Sequence, residues 1–378
     1  MFFVNHNISK INILNEKYTI FSIVIVILLL LTVCSIRKRK ITFLDMGVSL
    51  AFRGVAILLL LFGHFSCICG PELQFFIDGG FVSVCIFLFL SGYGITERYG
   101  FDNVMINFWT QRLMKLYVPL WLTLTLFLFL DNWLINLHHP AWEIVLNYFG
   151  VMFNGAFKRV NSPAWFIDYL LLQYIIFFFL SRSRHSSHWK VFSFFALSLI
   201  ISSIIYLTFL FDYFSIWLHY TLVFPFGVLA RLAKNKIELR GHSFKRKKKF
   251  IIFILASCFI FIFTVGQYSS QIGYHPTRFL QQMAILLTIL ISALIISMLG
   301  KESRFLIFLG KYSYEIFLLH LPFMVKYDFI LFRKPIVVSL IVYFSVVVVA
   351  AVLLNKISSF IRNALSSSTV KSSYNAPT

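Results

Sequence analysis

Arg53 and His64 are the two residues from which chemistry is most directly read in this sequence. They stand eleven residues apart at the ends of an apolar run, RGVAILLLLFGH. An α-helix turns about 100° per residue, so eleven steps return to nearly the same face, about three turns and about 16 Å further along. One helix face therefore offers a fixed cation at one end and a titratable imidazole deep in apolar surroundings. A guanidinium is fork-shaped and always charged, which suits phosphate. An imidazole exchanges protons near neutral pH, which suits general acid–base work. An extended molecule with phosphates at one end and a thioester at the other, the shape of a coenzyme A thioester, would touch both. A buried histidine is equally well explained as a hydrogen-bonded packing residue, and the spacing alone leaves both readings open.

Three more groups of ionisable residues fall in or beside apolar runs, where charge is costly and functional by default. Arg112 and Lys115 lie one turn apart in FWTQRLMKLYVP, a spacing that by itself fits a basic topological flank better than a phosphate grip. Lys311 and Glu315 are four apart in LGKYSYEIFLLH, so they are spaced to pair along a helix, and His320 closes that run. Trp165 and Asp168 stand one turn apart at the start of a further run, where Asp168 reads equally as a helix brace or an acid. Ser91, Gly92 and Tyr93 either let helices approach closely or line a channel for an acyl donor. The other eight histidines, at 6, 138, 139, 185, 188, 219, 242 and 275, fall in loops or at helix edges and read as solvated or interfacial.

Cysteines 34, 67, 69, 85 and 258 sit mostly in apolar runs, with no CxxC pair and no Cys/His ligand spacing. No metal and no resident cofactor is expected. Neither a Gly-x-Ser-x-Gly elbow nor a P-loop occurs, so hydrolase and ATPase readings lack support.

The elements that must position these residues are transmembrane helices. Of 378 residues, 59% are hydrophobic and only 13% charged, and the apolar residues form long blocks. The fold class is an all-α, polytopic bundle of about eleven helices, near 18–36, 52–69, 79–96, 115–131, 164–181, 191–211, 216–231, 250–267, 278–299, 304–324 and 336–354. The first run is followed by Arg37-Lys38-Arg39-Lys40, so it reads as a retained helix rather than a cleaved leader. The net charge of +20 comes from basic residues in alternate short loops, with about three times as many in one set as in the other. That is the bias of a membrane protein, not of a nucleic-acid binder, and it places the N-terminus outside and the C-terminus in the cytoplasm of a cell membrane. The run Lys245–Lys249 reads as a topology anchor or as a grip on anionic lipid headgroups. Residues 132–163, with Trp133, Trp142, Tyr148 and Phe149, form the longest outside loop, which lies in the interface or re-enters the membrane.

Five segments in order resemble the acyltransferase 3 family, the membrane O-acyltransferases of bacterial surface sugars. RGVAILLLLFGH is similar to its Arg-x10-His signature, and GGFVSVCIFLFLSGYGIT to its second block. FWTQRLMKLYVP resembles its aromatic-plus-basic block, SPAWFIDYLLLQY its Trp-Phe block, and LGKYSYEIFLLH its C-terminal block. The basic block departs from the usual paired arginines, reading Gln111-Arg112 and Lys115, and Val84-Cys85 stands where an acidic residue is often found.

The resemblance implies a ten-helix acyltransferase core at 51–356, preceded by an added helix and basic loop at 1–50. Residues 357–378 read as a disordered tail, with no room for the esterase-like domain of some members. It implies His64 as the catalytic histidine and Arg53 as its partner in donor binding. Acyl-CoA, with acetyl as the expected acyl group, is then the co-substrate, and a polysaccharide or lipid-linked sugar the acceptor. Arg112 and Lys115 would help hold the phosphates, and His320 would support or orient the acceptor. A transporter or flippase of lipid-linked sugars is the alternative; many helices and buried ions fit it too, whereas the Arg-x10-His face and the lack of an internal repeat do not favour it.

Overall fold

The computed structural model describes residues 17–69, 76–102, 104, 107–151, 160–209, 217–237, 243–268, 274–327, 330–331 and 336–374. The order is α1 (Lys17–Cys34), β1 (Ile36–Lys38), α2 (Met46–Cys69), α3 (Gly79–Tyr99), α4 (Asn107–Ile135), α5 (Ala141–Phe149), α6 (Trp165–Ser181), α7 (Ser187–Phe209) and α8 (Val223–Ile237). Then come α9 (Ser243–Tyr268), α10 (Tyr274–Leu299), β2 (Lys301–Ser303), α11 (Arg304–Lys311), α12 (Ser313–Leu321) and α13 (Ile336–Tyr374). The protein is an all-α polytopic bundle. Among the described residues, seven helices are long and apolar enough to cross a membrane: α2, α3, α4, α6, α7, α10 and α13. Large apolar side chains turned outward, Leu29, Phe129, Phe179, Phe253 and Phe360 among them, are what a lipid-facing surface requires.

A three-residue antiparallel pair, β1 with β2, ties the segment after α1 to the segment before α11, with Arg37 opposite Glu302. Glu302 is nearly fully buried and takes Arg37 at 2.6 Å and Arg39 at 3.1 Å; Arg39 also reaches Asp45 at 2.7 Å. Part of the basic flank after the first helix is thus neutralised.

α2 lies at the centre, packed on α3, α11 and α12. It meets α11 backbone to backbone: a methyl group at Gly54 would strike the Leu306 carbonyl, and one at Gly310 would strike that of Leu50. The Ser83 hydroxyl of α3 donates to the Ala56 carbonyl of α2. α3 and α8 are pressed together in the same manner through Gly92 and Gly227, against the backbone at Phe224 and Phe89. Small residues are what permit such approach between membrane helices.

Two expectations change, and of the two readings of the loop 132–163 the structure takes one. The predicted span 304–324 is not one helix. It breaks at Tyr312 and ends in a π-helical turn, Pro322–Lys326, where proline supplies no N–H to continue an α-helix. The loop 132–163 re-enters the bundle. The Phe149 carbonyl accepts from the Tyr117 hydroxyl at 2.8 Å and the Tyr148 carbonyl from Trp121 Nε1 at 2.7 Å. Tyr117 is about 27 Å along α4 from its end at Ile135. Residues 152–159 of this loop lie outside the described residues, as do the side chains of Lys245–Lys248. Finally, the tail expected to be disordered continues α13 as helix to Tyr374.

The contact of α2 with α11 gives a stability prediction. Gly310→Val overpacks a backbone contact and should cost about 3 kcal/mol, seen as a lowered thermal midpoint in detergent. Gly80→Ala, with nothing near the added methyl, should leave the midpoint unchanged.

Candidate functional site

Because α2 is unbroken from Met46 to Cys69, Arg53 and His64 keep the common face that their spacing dictates. Both side chains are half-buried rather than exposed on the lipid-facing surface. Arg53 lies within electrostatic reach of Tyr174 on α6 and Arg112 on α4. The Arg112 guanidinium sits over two aromatic rings, 5.1 Å from the centroid of Tyr99 and 5.8 Å from that of Tyr174. Its buried Nε makes no hydrogen bond among the described residues. The Tyr174 hydroxyl is 3.0 Å from Ser91 Oγ on α3. Gln111 accepts from the Tyr99 hydroxyl at 2.7 Å and from Arg98 at 2.9 Å.

Lys115 is surrounded by like charge, with Arg98, Arg112, Arg362 and Arg53 all in electrostatic reach. Four helices, α2, α3, α4 and α13, therefore bring five cations to one end of the bundle. Among the described residues no carboxylate stands within ion-pair distance of any of the five. Glu315 is within reach of Arg362, but its carboxylate accepts from Asn355 at 2.7 Å. Cations gathered without counter-ions repel, and a multiply charged anion relieves that repulsion while supplying charge-assisted hydrogen bonds.

His64 lies three turns further along. Its ring packs on that of His320, centroids 5.1 Å apart at 39°. His320 is fully buried on α12, and its Nδ1 is 2.8 Å from the Phe317 carbonyl. Its position is fixed from three sides. The Tyr343 hydroxyl of α13 donates to the His320 carbonyl at 2.8 Å, and Asn161, from the end of the re-entrant loop, donates to the Leu318 carbonyl at 3.1 Å. Phe166 of α6 meets Phe317 edge-on at 5.5 Å.

The sequence candidates divide accordingly. Arg53, Arg112, Lys115 and Ser91 come together at the basic end, and His64 and His320 meet deeper in the bundle. Gly92 serves the contact of α3 with α8, and the Tyr93 hydroxyl donates to the Phe43 carbonyl at 3.1 Å. Trp165 stacks on Tyr220, 5.8 Å between centroids, and Asp168 lies within electrostatic reach of the Tyr117 hydroxyl beside the re-entrant turn. The expected pairing of Lys311 with Glu315 does not form. The helix breaks between them, leaving Lys311 exposed and 5.3 Å from the Tyr312 ring.

Some residues that matter here were not singled out by sequence. Tyr99 and Tyr174 floor the cation cluster, Arg98 and Arg362 enlarge it, and Asn161 braces α12. At the opposite end, Asp131 accepts from Lys326 and Tyr327, each at 2.5 Å, and bonds His139 at 2.8 Å. His139, expected to be solvated or interfacial, has a side chain only 2% exposed, set between Asp131 and Glu143; His219 is buried as well. An aspartate within FLFLDNW was the available signal for this network.

Among curated proteins and among solved structures, none matches the chain. The family model Acyl_transf_3, described as an acyltransferase domain, matches residues 41–355, which hold every residue of the two clusters except Arg362. The chain therefore belongs to the acyltransferase 3 family and is a membrane acyltransferase.

Proposed function

We propose that this protein transfers an acyl group, acetyl foremost, from its coenzyme A thioester to a hydroxyl of a cell-surface polysaccharide or of its lipid-linked precursor. One observation carries the reading: Arg53, which anchors a cation cluster with no ion-paired carboxylate among the described residues, and the half-buried imidazole of His64 share a single face of one unbroken helix. Arg53, Arg112 and Lys115, with Arg98 and Arg362 beside them, hold the donor's phosphates. The pantetheine arm runs along α2 and delivers the thioester to His64. The excess of basic residues in alternate loops supports a donor end in the cytoplasm, with the N-terminus outside a cell membrane, and so the use of a cytoplasmic donor.

At the reacting centre His64 is the general base. It takes the proton of the acceptor hydroxyl as that oxygen attacks the thioester carbonyl. The new C–O bond forms, the C–S bond breaks, and the departing thiolate takes the proton from the imidazolium. Acyl-CoA and alcohol become ester and free coenzyme A, with no net change in the protein.

Two predictions follow from these roles. His64→Ala should lower kcat about 10²–10⁴-fold while the protein still accumulates in the membrane. The readout is transfer of labelled acetyl from acetyl-CoA to polysaccharide by purified protein, and undiminished transfer would contradict the role. Arg112→Gln should raise the KM for acetyl-CoA about tenfold, close to 1.4 kcal/mol, with little change in the KM for the acceptor. An unaltered donor KM would remove Arg112 from the binding site.

A further inference from the structure

His320 carries a hydrogen-bond acceptor that no described residue satisfies. Its Nδ1 is 2.8 Å from the Phe317 carbonyl, and a carbonyl oxygen only accepts, so Nδ1 holds the hydrogen. A neutral imidazole has one N–H, so Nε2 carries a lone pair. Nε2 is buried and has no partner among the described residues, in a side chain that is fully buried. Of the two rings packed on His320 among the described residues, that of Phe317 has no donor and that of His64 has one. Centroids 5.1 Å apart bring the two imidazoles within side-chain adjustment of a hydrogen bond, which spans about 3 Å between nitrogens.

We infer that His320 fixes the protonation form of His64 by accepting its N–H, and so serves as a positioning residue for acyl transfer. The inference rests on the reading of His64 as the base. A chain of obligatory donors and acceptors runs from the Phe317 carbonyl through His320 Nδ1–H and Nε2 to the N–H of His64. Since neutral His64 also has one N–H, its second nitrogen is left bare and turned away from His320, free to take a hydroxyl proton. When it does, His64 has two N–H groups, one still held by Nε2 of His320. The proton then leaves from the other nitrogen to the thiolate, and His320 neither gains nor loses one. The logic is that of a base oriented by a third group, with a neutral acceptor in the orienting place. It also gives a function to the bonds that Tyr343 and Asn161 make to the backbone of α12, because they hold Nε2 where His64 meets it.

The test compares His320→Phe, His320→Gln and His320→Asn in the full-length purified protein, with acetyl-CoA and polysaccharide as substrates. His320→Phe should lower kcat about tenfold to a hundredfold with the donor KM within about threefold of wild type. Gln places its amide oxygen near the position of Nε2 and should recover most of that loss, whereas Asn, which reaches only as far as Nδ1, should not. Nitrogen-15 spectra of histidine-labelled protein, with the His64 signals identified by difference against His64→Ala, should show one tautomer of His64 in wild type and a mixture in His320→Phe. If His320→Phe does not accumulate, the Gln and Asn variants carry the test, and equal activity of the two overturns the inference. Full activity of His320→Phe, or an unchanged His64 tautomer, overturns it as well. If His64→Ala is itself fully active, the underlying reading of the base fails instead; an inactive His64→Ala beside fully active His320 variants refutes the inference alone.

Discussion

The arrangement depends on α2 remaining straight while pinned backbone to backbone against α11. A helix fixes the distance and angle between its own residues, so Arg53 and His64 are related by geometry that no side-chain rearrangement alters. The neighbours then give these two residues their surroundings. α3, α4 and α13 gather cations around Arg53, and α12 brings His320 against His64. Close packing at Gly54 and Gly310 is what makes the second of these possible, because α11 leads directly into α12.

The two ends of the bundle handle charge differently. At the far end, the buried carboxylate of Asp131 is matched by Lys326, Tyr327 and His139, so its charge is satisfied within the protein. At the near end, Arg53, Arg98, Arg112, Lys115 and Arg362 face one another without an ion-paired carboxylate among the described residues. Charge left unmatched in this way is a structural cost unless a ligand completes it. The matched network instead clamps the start of the re-entrant loop to α4 and to the turn after α12.

Much of this was legible because a helix has one period. The Arg53–His64 face follows from a spacing of eleven, and the membrane helices follow from long apolar runs. What was not legible depends on contacts between distant segments. Nothing local says that His320 meets His64, or that Tyr99 and Tyr174 lie under Arg112. The pairing of Lys311 with Glu315 was inferred from a helix that the chain breaks at Tyr312, so Glu315 turns to Asn355 instead. His139 was read as solvated or interfacial because nothing local shows that Asp131 of α4 meets it, with Glu143 of α5 beside it. The helical tail was missed because a polar, serine-rich composition was read as disorder, although it follows a long helix without an intervening breaker.

The central claim is that one extended donor lies along α2, anchored at Arg53 and reacting at His64. The most direct measurement is an experimental structure of the protein with coenzyme A bound. The account predicts phosphates in contact with Arg53, Arg112 and Lys115, and the thiol end beside the His64 ring. Coenzyme A bound with its phosphates on other residues, or with its thiol directed away from His64, would contradict it.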